Sequence, residues 1–109
     1  MSNPRIIFPF TRLPDTSFGK KAQSILDAIN GNPYFPDPSP SQSELQAAID
    51  LFTEAMEETR LRSRSRRRAE ITELRVALEE MLVKLGVYVM QIAGGDREIL
   101  ITSGFDLAE

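Results

Sequence analysis

A chain of 109 residues, 41% hydrophobic and 27% charged, is sized and balanced for one folded domain with a modest core, which excludes disorder along its whole length. Cysteine, histidine and tryptophan are absent, so disulfides, thiolate nucleophiles, imidazole bases and the common soft metal sites are excluded together. The net charge of -3 is uneven, because Arg60, Arg62, Arg64, Arg66, Arg67 and Arg68 stand in one short run and leave the remainder acidic.

Residues 1–14 read as an extended N-terminal arm, since Pro4, Pro9 and Pro14 each remove a backbone donor and restrict the residue before them. Its apolar run is too short and too interrupted by proline for a signal-peptide core, and no stretch reaches the roughly 20 apolar residues that a membrane span needs. A cytoplasmic location, or a place in an assembled particle, is the expectation. An arm carrying Ile6, Ile7, Phe8, Phe10 and Leu13 packs along its own domain or docks on a neighbouring subunit. Ile6, Ile7, Phe8 and Phe10 are therefore candidate partner contacts.

Residues 15–109 read as a helical bundle domain. The first helix is expected from Asp15 to Asn30, with Phe18, Ala22, Ile25, Leu26 and Ile29 on one face and Asn30-Gly31 ending it. Pro33, Pro36, Pro38 and Pro40 make the next segment a stiff connector whose Tyr34 and Phe35 fold back onto the helices. Ser41 and Glu44 form a capping box that opens a second helix, with an apolar stripe of Leu45, Ala48, Ile49, Phe52, Ala55, Met56 and Thr59. It ends near Arg60.

The third helix is marked by Ile71, Leu74, Leu78, Met81, Leu85, Tyr88 and Ile92 at alternating spacings of three and four. Leu82 and Val89 widen that stripe beyond a two-stranded seam, so this helix is expected at the centre, in contact with two others. Gly94-Gly95 stops it. Asp96 caps a short fourth helix through Ile99 and Leu100, closed by Gly104 with Phe105 after the turn. The β-branched Ile99, Ile101 and Thr102 leave a short strand as the alternative there. The fold class is thus all-α: an antiparallel bundle of three main helices plus a short fourth, with a proline-rich connector and an extended arm.

Clustered guanidinium groups bind phosphates, so Arg62, Arg64, Arg66, Arg67 and Arg68 are the second set of candidate contacts. A helix through the run would place them near Glu54, Glu57, Glu58, Glu70 and Glu73, and no aromatic residue interleaves them to stack on bases. The readings, in order, are a solvated or acid-paired turn, a protein contact and a nucleic-acid contact. Glu57-Glu58 and Glu79-Glu80 are neighbours on a helix and do not converge on one substrate atom, so they read as solvated faces. The serines have no histidine to activate them, and no glycine-rich phosphate loop is present. Tyr34, Phe35, Phe52, Tyr88 and Phe105 read as core, with Met56, Met81 and Met90 filling gaps. No catalytic, cofactor or metal residue is expected, and the chain reads as non-enzymatic.

Leu13-Pro14-Asp15, Asn32-Pro33-Tyr34-Phe35-Pro36, Leu45 to Phe52, Gly95-Asp96 and Ser103-Gly104-Phe105, taken in order, resemble the helical N-terminal region of bacterial proteins that often carry a C-terminal fibronectin type III domain. The chain departs from that pattern in ending where that domain would begin and in carrying the arginine run between its long helices. The resemblance implies a helical fold and no catalytic residue. With the apolar arm, it implies a structural or protein-interaction module in a bacterial or phage-like assembly, with a protein partner or homo-oligomer. The alternative is a nucleic-acid-associated protein using Arg60 to Arg68.

Overall fold

The computed structural model describes residues 4–61 and 64–108, with side chains throughout that range except at 59–67. Four α-helices carry most of the chain: α1 (Asp15–Ile29), α2 (Gln42–Leu61), α3 (Arg64–Ala93) and α4 (Arg97–Ile101). Two short strands, β1 (Arg5–Ile7) and β2 (Asp106–Ala108), frame them. At ~1.5 Å per residue a helix as long as α3 spans ~45 Å, close to the long dimension of the 50 × 28 × 16 Å molecule. α2 packs along α3, α1 packs against α2, and α4 and β1 both rest on α3.

The local signals act as their chemistry requires. Ser41 Oγ accepts from the Glu44 amide at 3.2 Å and donates to the Glu44 carboxylate at 3.0 Å, so Ser41 caps α2 while Glu44 binds its hydroxyl in place of the Ser41 amide. Asp96 accepts from the Glu98 amide at 2.9 Å and starts α4, which makes residues 97–101 helix and not strand. After α1 only Gly31 takes a positive φ, while Asn30 stays extended.

The core joins Phe18, Ala22, Ile25 and Ile29 of α1 to Leu45, Ile49 and Phe52 of α2 and to Leu78, Leu82, Leu85 and Val89 of α3. Two expected core residues lie elsewhere. Ile92 is 46% exposed, and its place is taken by Ala93. At about 100° per residue, Ile92 lies about 60° to one side of Ile71 and Ala93 about 40° to the other, so the series of seven ending at Ile92 turns further from the core than the series of eleven ending at Ala93. In the connector Phe35 is buried against Tyr88, with ring centroids 6.1 Å apart, but Tyr34 is 46% exposed.

The arm is not a free extended segment. β1 pairs antiparallel with β2, in the register Arg5 to Ala108, Ile6 to Leu107 and Ile7 to Asp106. A 3-10 turn follows at Pro9–Arg12. Gly104 makes this closure possible: its φ is +81°, and a Cβ there would come within 3.0 Å of Ala28 Cβ. Lys21 secures the same corner by donating to the Gly104 carbonyl at 3.1 Å and to Asp106 at 2.8 Å.

Candidate interaction surfaces

The arm's candidate contacts are engaged inside the chain. Ile6 and Phe10 are buried in the core, Phe8 packs against it and Ile7 is half-buried. Phe8 lies over Gly86 in the middle of α3, where a Cβ would come within 2.5 Å of its ring. The same ring meets Phe105 edge-on at 6.0 Å, and Phe10 meets Phe18 at 5.5 Å. Ile6, Phe8 and Phe10 thus pack within the chain's own core, the first of the two alternatives for the arm, while Ile7 is half-buried outside it.

Arg75 of α3 holds the other end of the arm. Its guanidinium donates to the carbonyls of Phe10 and Leu13, the latter at 2.8 Å, and to Asp15 at 2.7 Å and Glu79 at 3.0 Å. It also lies 4.5 Å over the Phe18 ring. Burial opposes its charge, but the hydrogen bonds and negative charges of Asp15 and Glu79 outweigh that, and its pKa is raised. A planar group with five fixed donors can serve two carbonyls, two carboxylates and an aromatic face together.

The arginine run is not a separate turn: Arg60 stands in the last turn of α2, and Arg64, Arg66, Arg67 and Arg68 in the first turns of α3. Arg62 lies outside the described residues, as do the side chains of Arg60, Arg64, Arg66 and Arg67. Arg68 is exposed on the first turns of α3. A groove between α2 and α3 is lined by Leu51, Glu54, Glu58, Glu70, Glu73 and Leu74, and Glu58 and Glu70 are themselves engaged.

The third surface lies on the outward side of α3. Val76, Val83 and Val87 are 49%, 38% and 43% exposed. At ~100° per residue they fall within about 40° of one another, on the side of the helix opposite Leu78, Leu82 and Val89. Val76 and Val83 line an open groove with Glu79, Glu80 and Lys84. Lys84 also borders the connector at Asp37–Ser41. α3 is therefore apolar on two opposite faces, of which the fold covers one.

Among the described residues no helix is long and apolar enough to cross a membrane, and no cluster of three metal-ligating side chains occurs. Comparison with known protein families, curated proteins and solved structures gives no match. Sequence reasoning missed Arg75, Gly86 and the outer valines. A signal existed for the last of these, since Val76, Val83 and Val87 stand seven and four apart, a helical spacing out of phase with the stripe already assigned to the core.

Proposed function

We propose that this chain is a non-catalytic structural or protein-interaction module, an antiparallel bundle of three main helices and a short fourth, that engages a protein partner through the outer face of α3. The observation that carries the reading is the line of Val76, Val83 and Val87, rimmed by Glu79, Glu80 and Lys84. Three valines aligned on one exposed helix face, with charged residues among and beside them, have the composition of a small contact surface. No aromatic residue interleaves the arginine run to stack on bases, which supports a protein partner over a nucleic acid. A role in a bacterial or phage-like assembly rests on the resemblance of the helical segments alone.

A photoreactive residue placed at Val83, and as a control at the exposed Ala47 of α2, tests this in an extract of the source cell. Protein adducts at position 83 that are absent at 47 are the expected result. Equal labelling at both positions, or no protein adduct at 83, would overturn the reading.

A further inference from the structure

Resting on that reading, the order of residues along the outer face identifies the chemistry of the partner. Val76, Glu80, Val83 and Val87 follow one another at spacings of four, three and four, so they form one line along α3. That spacing is the same in both directions: reversing the helix exchanges Val76 with Val87 and Glu80 with Val83. A two-fold axis crossing α3 between Met81 and Leu82 therefore lays the line on its own copy. Val76 meets Val87 at each end, and the two Val83 side chains come close at the centre, as an isologous contact requires.

Charge sets the direction. Glu80 and Lys84 lie on the same flank of the line, and in the antiparallel pair Glu80 of one copy comes within ~1.5 Å, along the axis, of the level of Lys84 of the second copy. The symmetry forms this pair twice. In a parallel pair each Glu80 would instead stand level with Glu80 of the second copy, a like-charge contact at the centre of the interface. Both side chains are exposed, and among the described residues neither makes an ion pair within the chain. The geometry points to a second copy of this chain, packed α3 against α3 in antiparallel order, as the occupant of the outer valine line. The overlap from Val76 to Val87 covers only ~18 Å of helix, which places the contact at the small, readily dissociating end of specific interfaces.

Because the chain has no cysteine, single introduced thiols read the register directly. In the antiparallel pair, positions 76 and 87 of opposite copies are adjacent, whereas the two copies of position 76 stand ~16 Å apart, beyond disulfide reach. Mixing Val76→Cys with Val87→Cys protein under mild oxidation should give a crosslinked dimer, and either variant alone should give little. Sedimentation over a concentration series supplies the second measurement. Glu80→Lys and Lys84→Glu should each lose the dimer, and the double variant should regain it, since the pairs are then restored with reversed sign. Crosslinking by Val76→Cys alone, or a double variant that fails to regain the dimer, overturns the antiparallel assignment. A chain that stays monomeric at millimolar concentration while still giving protein adducts at position 83 overturns the second copy and leaves the module reading standing. A monomer without such adducts overturns both.

Discussion

On its inner side α3 presents Leu78, Leu82, Leu85 and Val89, all within a core shared with α1, α2 and the arm, while on its outer side Val76, Val83 and Val87 remain open to solvent. Both sets repeat at helical spacing. The inner set is mostly leucine, whose flexible branched end fills a cavity bounded by several elements. The outer set is wholly valine, a short and stiff side chain suited to a shallow contact with one opposing surface. Periodicity thus marks both faces as apolar, but only the rest of the chain decides which one it can cover. Three other helices and a short arm cover one face of the 30-residue α3.

The comparison breaks most simply on the inner face. Leu78→Ala and Leu85→Ala should each cost about 2–5 kcal/mol, as fully buried large-to-small changes that leave a cavity. Denaturant or thermal unfolding midpoints measure this. Two variants that melt with the parent would show that the leucine side does not form the core.

The next largest effect has an unusual sign. Glycine to alanine inside a helix ordinarily stabilises by about 1 kcal/mol, but at Gly86 the added methyl would collide with the Phe8 ring. Gly86→Ala should therefore destabilise, by about 1–3 kcal/mol, as overpacking does. Combining it with Phe8→Ala should recover part of that loss in a double-mutant cycle, because the two residues share one contact. Deleting residues 1–12 removes the same contact together with β1. It should lower the melting point with the mass per particle unchanged, whereas an arm docked on a neighbour would lower the mass and keep the melting point.

These residues also show what a sequence makes legible. α1, α2 and α4 lie close to where the capping and apolar residues put them, because Ser41, Asp96 and Gly31 act within a few residues of themselves. The β1–β2 pair was hidden for the opposite reason. Its strands are three residues each and lie at opposite ends of the chain, so neither carries enough alternation to announce a partner. Gly86 interrupts a run of better helix formers, and only the position of Phe8 explains it. Tyr34 and Phe35 are adjacent in a connector, and nothing local distinguishes the buried ring from the exposed one. Of the candidate surfaces, the arm was legible as apolar, with self-packing and docking on a neighbour both open, and only its pairing with β2 and the seat of Phe8 on Gly86 give the self-packed form. The valine line was visible in the spacing and passed over because one face of α3 already satisfied the helical pattern.

Arg75 offers a smaller test of how the arm is held. Arg75→Lys keeps the charge but loses the fork that serves Phe10, Leu13, Asp15 and Glu79 together. The expected cost is about 1–2 kcal/mol, discounted because Asp15 is largely solvated. Hydrogen exchange at the amides of β1 and β2 should quicken more than exchange within α2. Uniform loss of protection across the chain would mean that Arg75 supports the whole core and not the arm in particular.

The smallest expected effect sharpens the comparison furthest, because it predicts opposite signs for one kind of substitution on the two sides of one helix. Val76→Ala, Val83→Ala and Val87→Ala remove side chains that stay 49%, 38% and 43% exposed in the monomer, so much less burial is lost than at Leu85. Alanine is also the better helix former, since valine loses side-chain freedom against the preceding turn. Each change should therefore leave the melting point level or raise it, by at most about 0.5 kcal/mol, when measured in dilute protein. The same truncation at Leu85 lowers it severalfold more. If the outer face is covered by a second copy, a dependence on concentration is added: the parent gains stability as concentration rises, because association favours the folded state by mass action, and the three alanine variants lose that gain. Scanning calorimetry at two concentrations far apart separates the terms. A loss above about 1 kcal/mol in dilute protein would mean that the outer valines are covered by the chain itself, and the contrast between the two faces of α3 would then be false.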